Sequence, residues 1–338
     1  MEGGAIMIGS GRRGVIAGGM TAAALLGGAG IARGATTLRV GVGTAPLSAE
    51  TKALQEMARL AAERSGGDLK IDVFDSDKLG GSVAQLENLQ LGTQDMLSNV
   101  ADWYQHLDKG WNAMAIPFVF GGVEHVKRFQ QTATYKGWLA EMPAKHGVRM
   151  LADNWYRLPR VLLTTRAVRT PDDLKDMRLR MPDLDTYLRT WGALGAKPTV
   201  IAFSEAFLAM KTGTVQGMEA PLSGVYPQKF YQAAPFITLT MHQIAPYTVM
   251  ISEKTWRRLN ARQQETVTRA AQDAGDWYYK LILESFDDQK AKMIAEGVQF
   301  IETDTKPWAD RVEPVIKAFE TEGKLPRGLV AEIRALAR

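Results

Sequence analysis

Apolar and polar residues alternate through TTLRVGVG (Thr36 to Gly43), and its β-branched side chains predict a first strand. In the run that follows, SAETKALQEMARLAAERSGG, Leu54, Met57, Ala58 and Ala61 fall at the spacing of one helix face. Gly66 supplies the stop. DLKIDVF predicts a second strand, GGSVAQLENLQLG a helix with Leu86, Leu89 and Gln90 on one side, and TQDMLSNV a third strand. Strand, helix, strand, helix, strand is the order of a parallel α/β lobe. AIPFVF, around Pro117, ends that run, and residues 123–147 read as helical.

VRMLADNWYRLPRVLLTT predicts two strands close together, and the α/β pattern then restarts. DMRLRMP reads as a strand, and LDTYLRTWGALG as a helix with Leu184, Leu188 and Trp191 on one face. PTVIAF is a strand, SEAFLAMKTG a short helix capped by Ser204 and closed at Gly213, and TVQGMEA a final strand. From Glu253 to Glu296 the chain reads as helical with a break near Asn260, then as a loop with Pro307 and a last helix from Val312. The second half repeats the architecture of the first without its sequence. No low-complexity linker separates the halves, so the expected form is two α/β lobes joined by crossing strands. Ligands of such lobes sit at the carboxyl ends of strands, in the crevice between the lobes.

DMRLRMP also carries the first candidate chemistry. Arg178 and Arg180 share a face of their strand, but Arg180 stands at its carboxyl end, where the crevice is expected, and Arg178 nearer solvent. Arg160 lies in a second apolar run. A buried guanidinium needs a partner, and its planar fork matches a carboxylate. That partner is either a bound acid or a neighbouring side chain such as Asp183 or Asp153. Trp155, Tyr156 and Phe203 are aromatic residues that wall such a pocket or fill the core.

Length and composition narrow the class. The 338 residues suffice for about two domains. With no cysteine, disulfides, thiolate nucleophiles and cysteine metal sites are excluded. His106, His125, His146 and His242 have no metal-ligand spacing. The Gly41 and Gly43 pair after the first strand meets Pro46 where a dinucleotide fingerprint needs its third glycine, and no nucleophile elbow or Walker loop occurs. The start of the chain, residues 1–34, pairs Arg12 and Arg13 with a glycine-rich apolar run, and Ala32 and Gly34 sit at signal-peptidase positions. This predicts an export signal of the twin-arginine kind and an exported protein. Without that segment 38 basic and 36 acidic side chains remain, interspersed, which argues against nucleic-acid binding.

Six segments, SGGDLKIDVFDSDKLGG, LQLGTQDM, IPFVFGG, DDLKDMRLRMP, FSEAFLAMKTGTVQGMEAP and FYQAAPFITLTMH, together resemble the solute-binding subunits of tripartite ATP-independent periplasmic (TRAP) transporters of the dicarboxylate-binding type, in order and spacing from about Leu38 onward. The resemblance implies a two-lobed periplasmic binding protein-like α/β fold with hinge strands and a long C-terminal helix. It places lobe I at 36–157 plus 247–285 and lobe II at 158–246 plus 286–338. It implies a receptor, not an enzyme, that needs no cofactor, closes on a small organic acid and delivers it to membrane permease subunits, with a monomer expected and a dimer as the alternative. Arg180 matches the family's carboxylate-clamping arginine, Arg160 an often-basic second position, Phe203 a cleft aromatic and Glu219 the acid of a D-G-Q-E-N segment. Gly43, Ser82 and Asn99 fall near ligand-facing positions.

Two departures stand out. Gln216 and Ala220 replace an aspartate and a ligand-bonding asparagine, which points to a less polar or differently shaped ligand. Pro159 replaces a common glycine. Three other readings stay open at this level. A metal ion at Glu219 would bridge to a 2-oxo acid, an exported enzyme would act on a carboxylated substrate, and a sensor subunit would present its ligand to a membrane kinase.

Overall fold

A computed structural model of the chain describes Met1 and residues 35–337; residues 2–34, and with them the predicted export signal, lie outside the described residues. In chain order the strands are β1 (Thr36–Gly41), β2 (Leu69–Phe74), β3 (Met96–Val100), β4 (Val148–Trp155), β5 (Arg160–Thr164) and β6 (Arg178–Met181). They continue as β7 (Lys197–Val200), β8 (Gly217–Pro221), β9 (Phe236–Thr238), β10 (Tyr247–Ser252) and β11 (Gln299–Ile301). One sheet runs β2-β1-β3-β10-β4 and the other β11-β9-β5-β8-β6-β7.

The parallel runs β2-β1-β3 in the first sheet and β8-β6-β7 in the second are what the pattern predicts. β1 pairs in parallel with β2, setting Leu38 against Ile71 and Val40 against Val73, and the helix Ala49–Ser65 covers them with Leu54, Met57 and Ala61. That helix ends at Gly66, whose φ of 65° only glycine adopts readily. Neither sheet is purely parallel, however. β10 lies antiparallel between β3 and β4, and β5 antiparallel between β8 and β9. β10 carries no alternation because all six of its residues are buried, so its sequence alone does not mark it as a strand.

The chain passes between the sheets three times, at 156–159, at 239–246 and through the helix Ala261–Ala295 that leads to β11, and the first two crossings are bonded together. Arg160 N–H donates to Gln243 O at 2.8 Å, and His242 N–H to Arg160 O at 3.2 Å. The long helix Ala261–Ala295 starts at Asn260 in a capping box with Gln263. It lies on the first sheet through Ala270, Ala271, Ala274 and Tyr278, and its far end sends Met293 into the core of the second.

The end of the chain departs from the sequence reading. Pro307 does not mark a loop; it lies at the start of the helix Lys306–Thr321, where its missing N–H costs nothing. A further helix, Leu329–Ala335, packs on Val123–Gln130, where His125 donates Nε2–H to Ile333 O at 2.6 Å and accepts from Gly121 N–H. Ser204 caps nothing. A 3₁₀ turn, Phe203–Glu205, precedes the helix Ala206–Lys211 and shifts its start beyond the serine. No helix among the described residues is long and apolar enough to cross a membrane.

Candidate ligand-binding site

A cavity of about 390 Å³ opens between the sheets. Its walls are the carboxyl ends of parallel strands from both: Gly43 and Thr44 after β1, Asn99 and Val100 at the end of β3, Pro182 after β6, and Val200 and Ile201 at the end of β7. From the first lobe the uncapped amino end of the helix Ser82–Leu91 also faces it through Gly81, Ser82 and Val83. Unpaired N–H groups and the helix dipole favour an anion there.

β6 delivers Arg180 from the other side. Along this strand only Arg178 is exposed, and it is tied to Gly213 O and Thr214 O. Arg180 shares its face but lies under the other lobe, 3% exposed. Its Nε donates to Ile201 O at 2.7 Å, and its Cζ sits 5.5 Å from the centre of the Phe203 ring. Among the described residues no carboxylate lies within ion-pair distance of it. Burial lowers its pKa to about 10, against the raising influence of Glu219, so the group remains a cation at neutral pH.

Arg160 lines the same cavity but has an internal partner. Glu219, fully buried on β8, grips its Nε and lies 2.5 Å from its Nη2. Burial alone would raise the Glu219 carboxyl; the Arg160 charge, with a hydrogen bond from His242, holds it well below the usual carboxylate range. Burial alone would lower Arg160, and the Glu219 charge holds it above its ordinary value instead. His242, pushed down by burial, places Nε2 3.4 Å from Glu219 Oε2.

The lobes also touch around the cavity. The Tyr187 hydroxyl lies 2.6 Å from both Asp102 Oδ2 and Gln243 Oε1, and Gln228 Nε2 donates to Ser48 Oγ at 2.9 Å. Asp77 stands at the wall, its carboxyl raised by burial and eased back by Ser204 and Arg180.

Of the residues singled out in the sequence, the structure brings Gly43, Ser82, Asn99, Arg160, Arg180 and Phe203 to this cavity. Glu219 stands behind Arg160. Trp155 and Ala220 are placed in the core: Trp155 donates Nε1–H to Ala271 O of the long helix, and Ala220 packs with Val161 and Met218. Sequence reasoning missed Arg157, Asp102, Trp103 and Tyr187, all at the cavity wall. Arg157, in the same apolar run as Arg160, was the one with a readable signal.

Two α/β lobes meeting over a cavity that holds an unpaired buried cation define a solute-binding receptor. The chain belongs to the bacterial extracellular solute-binding protein family 7, whose sequence profile matches residues 40–322. It is 28% identical over 310 residues to the sialic acid-binding periplasmic protein SiaP of Vibrio cholerae, spanning 89% of this chain and 93% of that one. Among solved structures it is similar to a TRAP periplasmic solute-binding protein of Roseobacter denitrificans with bound β-D-glucuronate. There the TM-score is 0.82 at 25% identity, over 89% of this chain and 99% of the other. Against an apo open structure of such a protein from Escherichia fergusonii the TM-score is 0.75 at 26% identity, over the same 89% and 99%. The higher likeness to the ligand-bound chain agrees with the hydrogen bonds that join the lobes here.

Proposed function

We propose that this receptor captures a small organic acid between its lobes, with the carboxylate on Arg180, and delivers it to a TRAP-type permease in the membrane. The observation that carries the reading is the contrast between two buried arginines. Arg160 is neutralised by Glu219, whereas Arg180 keeps a buried positive charge open to the cavity. An uncompensated guanidinium is costly unless an anion joins it. The amino end of the helix Ser82–Leu91 supports the same polarity from the opposite lobe. Sialic acid and glucuronate, named for the two ligand-binding relatives, are both carboxylated sugars.

A charge-assisted contact contributes about 1.5–3 kcal/mol net. Micromolar binding takes about 8 kcal/mol, so the remainder comes from Phe203, Trp103 and the other walls as the lobes shut out water. Arg160 shapes the pocket from its place on Glu219. The metal-bridged reading loses its ligand, because Arg160 and His242 already engage the Glu219 carboxylate. Periplasmic location, export through the twin-arginine-like segment 1–34 and a monomeric state belong to the same proposal.

The test is a thermal-shift screen of the purified, ligand-freed protein against C4-dicarboxylates, 2-oxo acids, hexuronates and aromatic acids. Ligand at a hundred times its dissociation constant stabilises the folded form by about 2.7 kcal/mol. Hits confined to carboxylates and lost in Arg180→Ala support the reading; a flat panel, or hits indifferent to Arg180, overturns it.

A further inference from the structure

The loop after β2 brings an acid to the same cavity from the first lobe. Ser76 and Asp77 both take left-handed backbone, at φ 54° and 57°, a region that few residues other than glycine adopt and that aspartate and asparagine tolerate best. Two hydrogen bonds to the loop after β1 hold them there. Ser76 N–H donates to Thr44 O at 2.9 Å, and Asp77 N–H to Val42 O at 3.2 Å. The Asp77 carboxylate is thereby set beside Gly43 at the cavity wall. A Cβ on that glycine would come 2.8 Å from Asp77 Oδ1, so the glycine leaves the space that the carboxylate fills. Backbone held in a sparsely populated region is costly, and it persists where the surroundings fix it, often at ligand sites. No basic side chain of its own lobe serves this acid. Lys78, next in the chain, is taken by Asp75 at 3.1 Å. The charges that Asp77 feels are Arg180 and Glu205, both across the cleft.

We propose that Asp77 is a charge filter: standing across the cleft from Arg180, it admits an acid with one negative charge and turns away an acid with two, so that C4-dicarboxylates and other diacids are excluded. This rests on the reading that Arg180 takes the carboxylate.

The first carboxylate is answered by Arg180, and a second finds no guanidinium free. Arg160 is held by Glu219. Arg157 is only 2% exposed, donates Nε–H to Ala245 O at 3.0 Å, and spends its charge on Asp102, whose burial-raised carboxyl Arg160 and Arg157 together ease back. Around these three arginines, Glu50, Asp77, Asp102 and Asp183 line the cavity and Glu219 stands behind it, so acids outnumber guanidiniums before any ligand enters. The second charge of a diacid therefore lands on a wall of its own sign. A neutral group in its place meets no such repulsion.

Titration calorimetry on purified, ligand-freed protein tests this with a matched pair, D-gluconate and D-glucarate. They share a six-carbon chain and differ at one end, a hydroxymethyl group against a second carboxylate. The wild-type protein is expected to bind gluconate at least about tenfold more tightly, since like charges set together in a closed site are costly. Asp77→Asn keeps the shape and suits the left-handed backbone, and it is expected to shrink that preference about tenfold, with glucarate gaining. A loss of packing alone would weaken both acids and leave their ratio, so the ratio reads the charge. Equal affinity in the wild-type protein, or a preference for glucarate, overturns the filter, as does a ratio that Asp77→Asn leaves in place. If that variant misfolds, Asp77→Ser repeats the comparison. Any of these failures leaves the Arg180 reading standing, provided that Arg180→Ala abolishes binding. If no acid binds the wild-type protein, both readings fall.

Discussion

Arg160 on β5 and Glu219 on β8 form a diagonal pair across antiparallel strands: Leu162 stands opposite Glu219 and Pro221 opposite Arg160, so the two side chains share a face. The carboxylate meets the guanidinium at Nε and Nη2. Arg180, two strands away in the same sheet, has no such acid. One arginine is paired within the frame and the other is left open to the cavity. That division makes their substitutions behave in opposite ways.

Arg180→Ala is expected to abolish measurable acid binding without lowering the unfolding temperature of the ligand-free protein. Removing an unpaired buried charge removes its desolvation cost, so stability holds or rises. Melting curves with and without glucuronate read both effects. Wild-type affinity in the variant would return the carboxylate to Arg157 or Arg160.

Glu219→Gln is expected to destabilise the fold by about 3–5 kcal/mol, because it strands Arg160 as a buried charge. Urea midpoints measure this directly. A variant as stable as the parent would show that Arg160 finds other compensation.

The same pair sets a pH dependence. The folded-state pKa of Glu219 is depressed, so its contribution is complete above the ordinary carboxylate range and is lost as pH falls through the depressed value. The stability gap between parent and Glu219→Gln should therefore be full at neutral pH and close as the solution is acidified. A gap that stays constant down to acid unfolding would contradict the assignment.

Phe203→Ala is expected to weaken acid binding several-fold. Its ring covers the Arg180 guanidinium, and such contacts contribute about 0.5–2 kcal/mol. Calorimetry with glucuronate tests it. Unchanged affinity would leave the ring a packing partner of Phe230 alone, with which it makes an edge contact at 5.3 Å.

Gly275→Ala should destabilise, although alanine is the better helix former by about 1 kcal/mol. A Cβ at this position would come 2.5 Å from Trp155 Cδ1 and 2.5 Å from Asn154 Oδ1. Overpacking of this kind costs about 1–3 kcal/mol, read as a lowered melting temperature.

Gly275 also explains one limit of the sequence. Trp155 stands five residues before Arg160 and reads equally as a pocket wall or as core. Nothing local reveals that a helix more than a hundred residues away presents a glycine and the Ala271 carbonyl to receive it. Arg180 was legible because an arginine ending an apolar strand is conspicuous, and strand ends face the crevice. Asp102 and Tyr187 were not, because they meet only when the lobes come together; singly each is an ordinary polar residue. The helix Ala49–Ser65 and the strands around it follow from periodicity, whereas β10, buried on both faces, has no period to show.

If Arg180 takes the carboxylate as proposed, its open charge also governs when the molecule shuts. Closing over an empty cleft dries a cation that nothing answers, at several kcal/mol, while closing over an acid completes it. Outline and occupancy become correlated: the shut form is rare without cargo and common with it. A membrane partner that recognises only the shut outline thereby counts loaded receptors and passes over vacant ones, however many surround it.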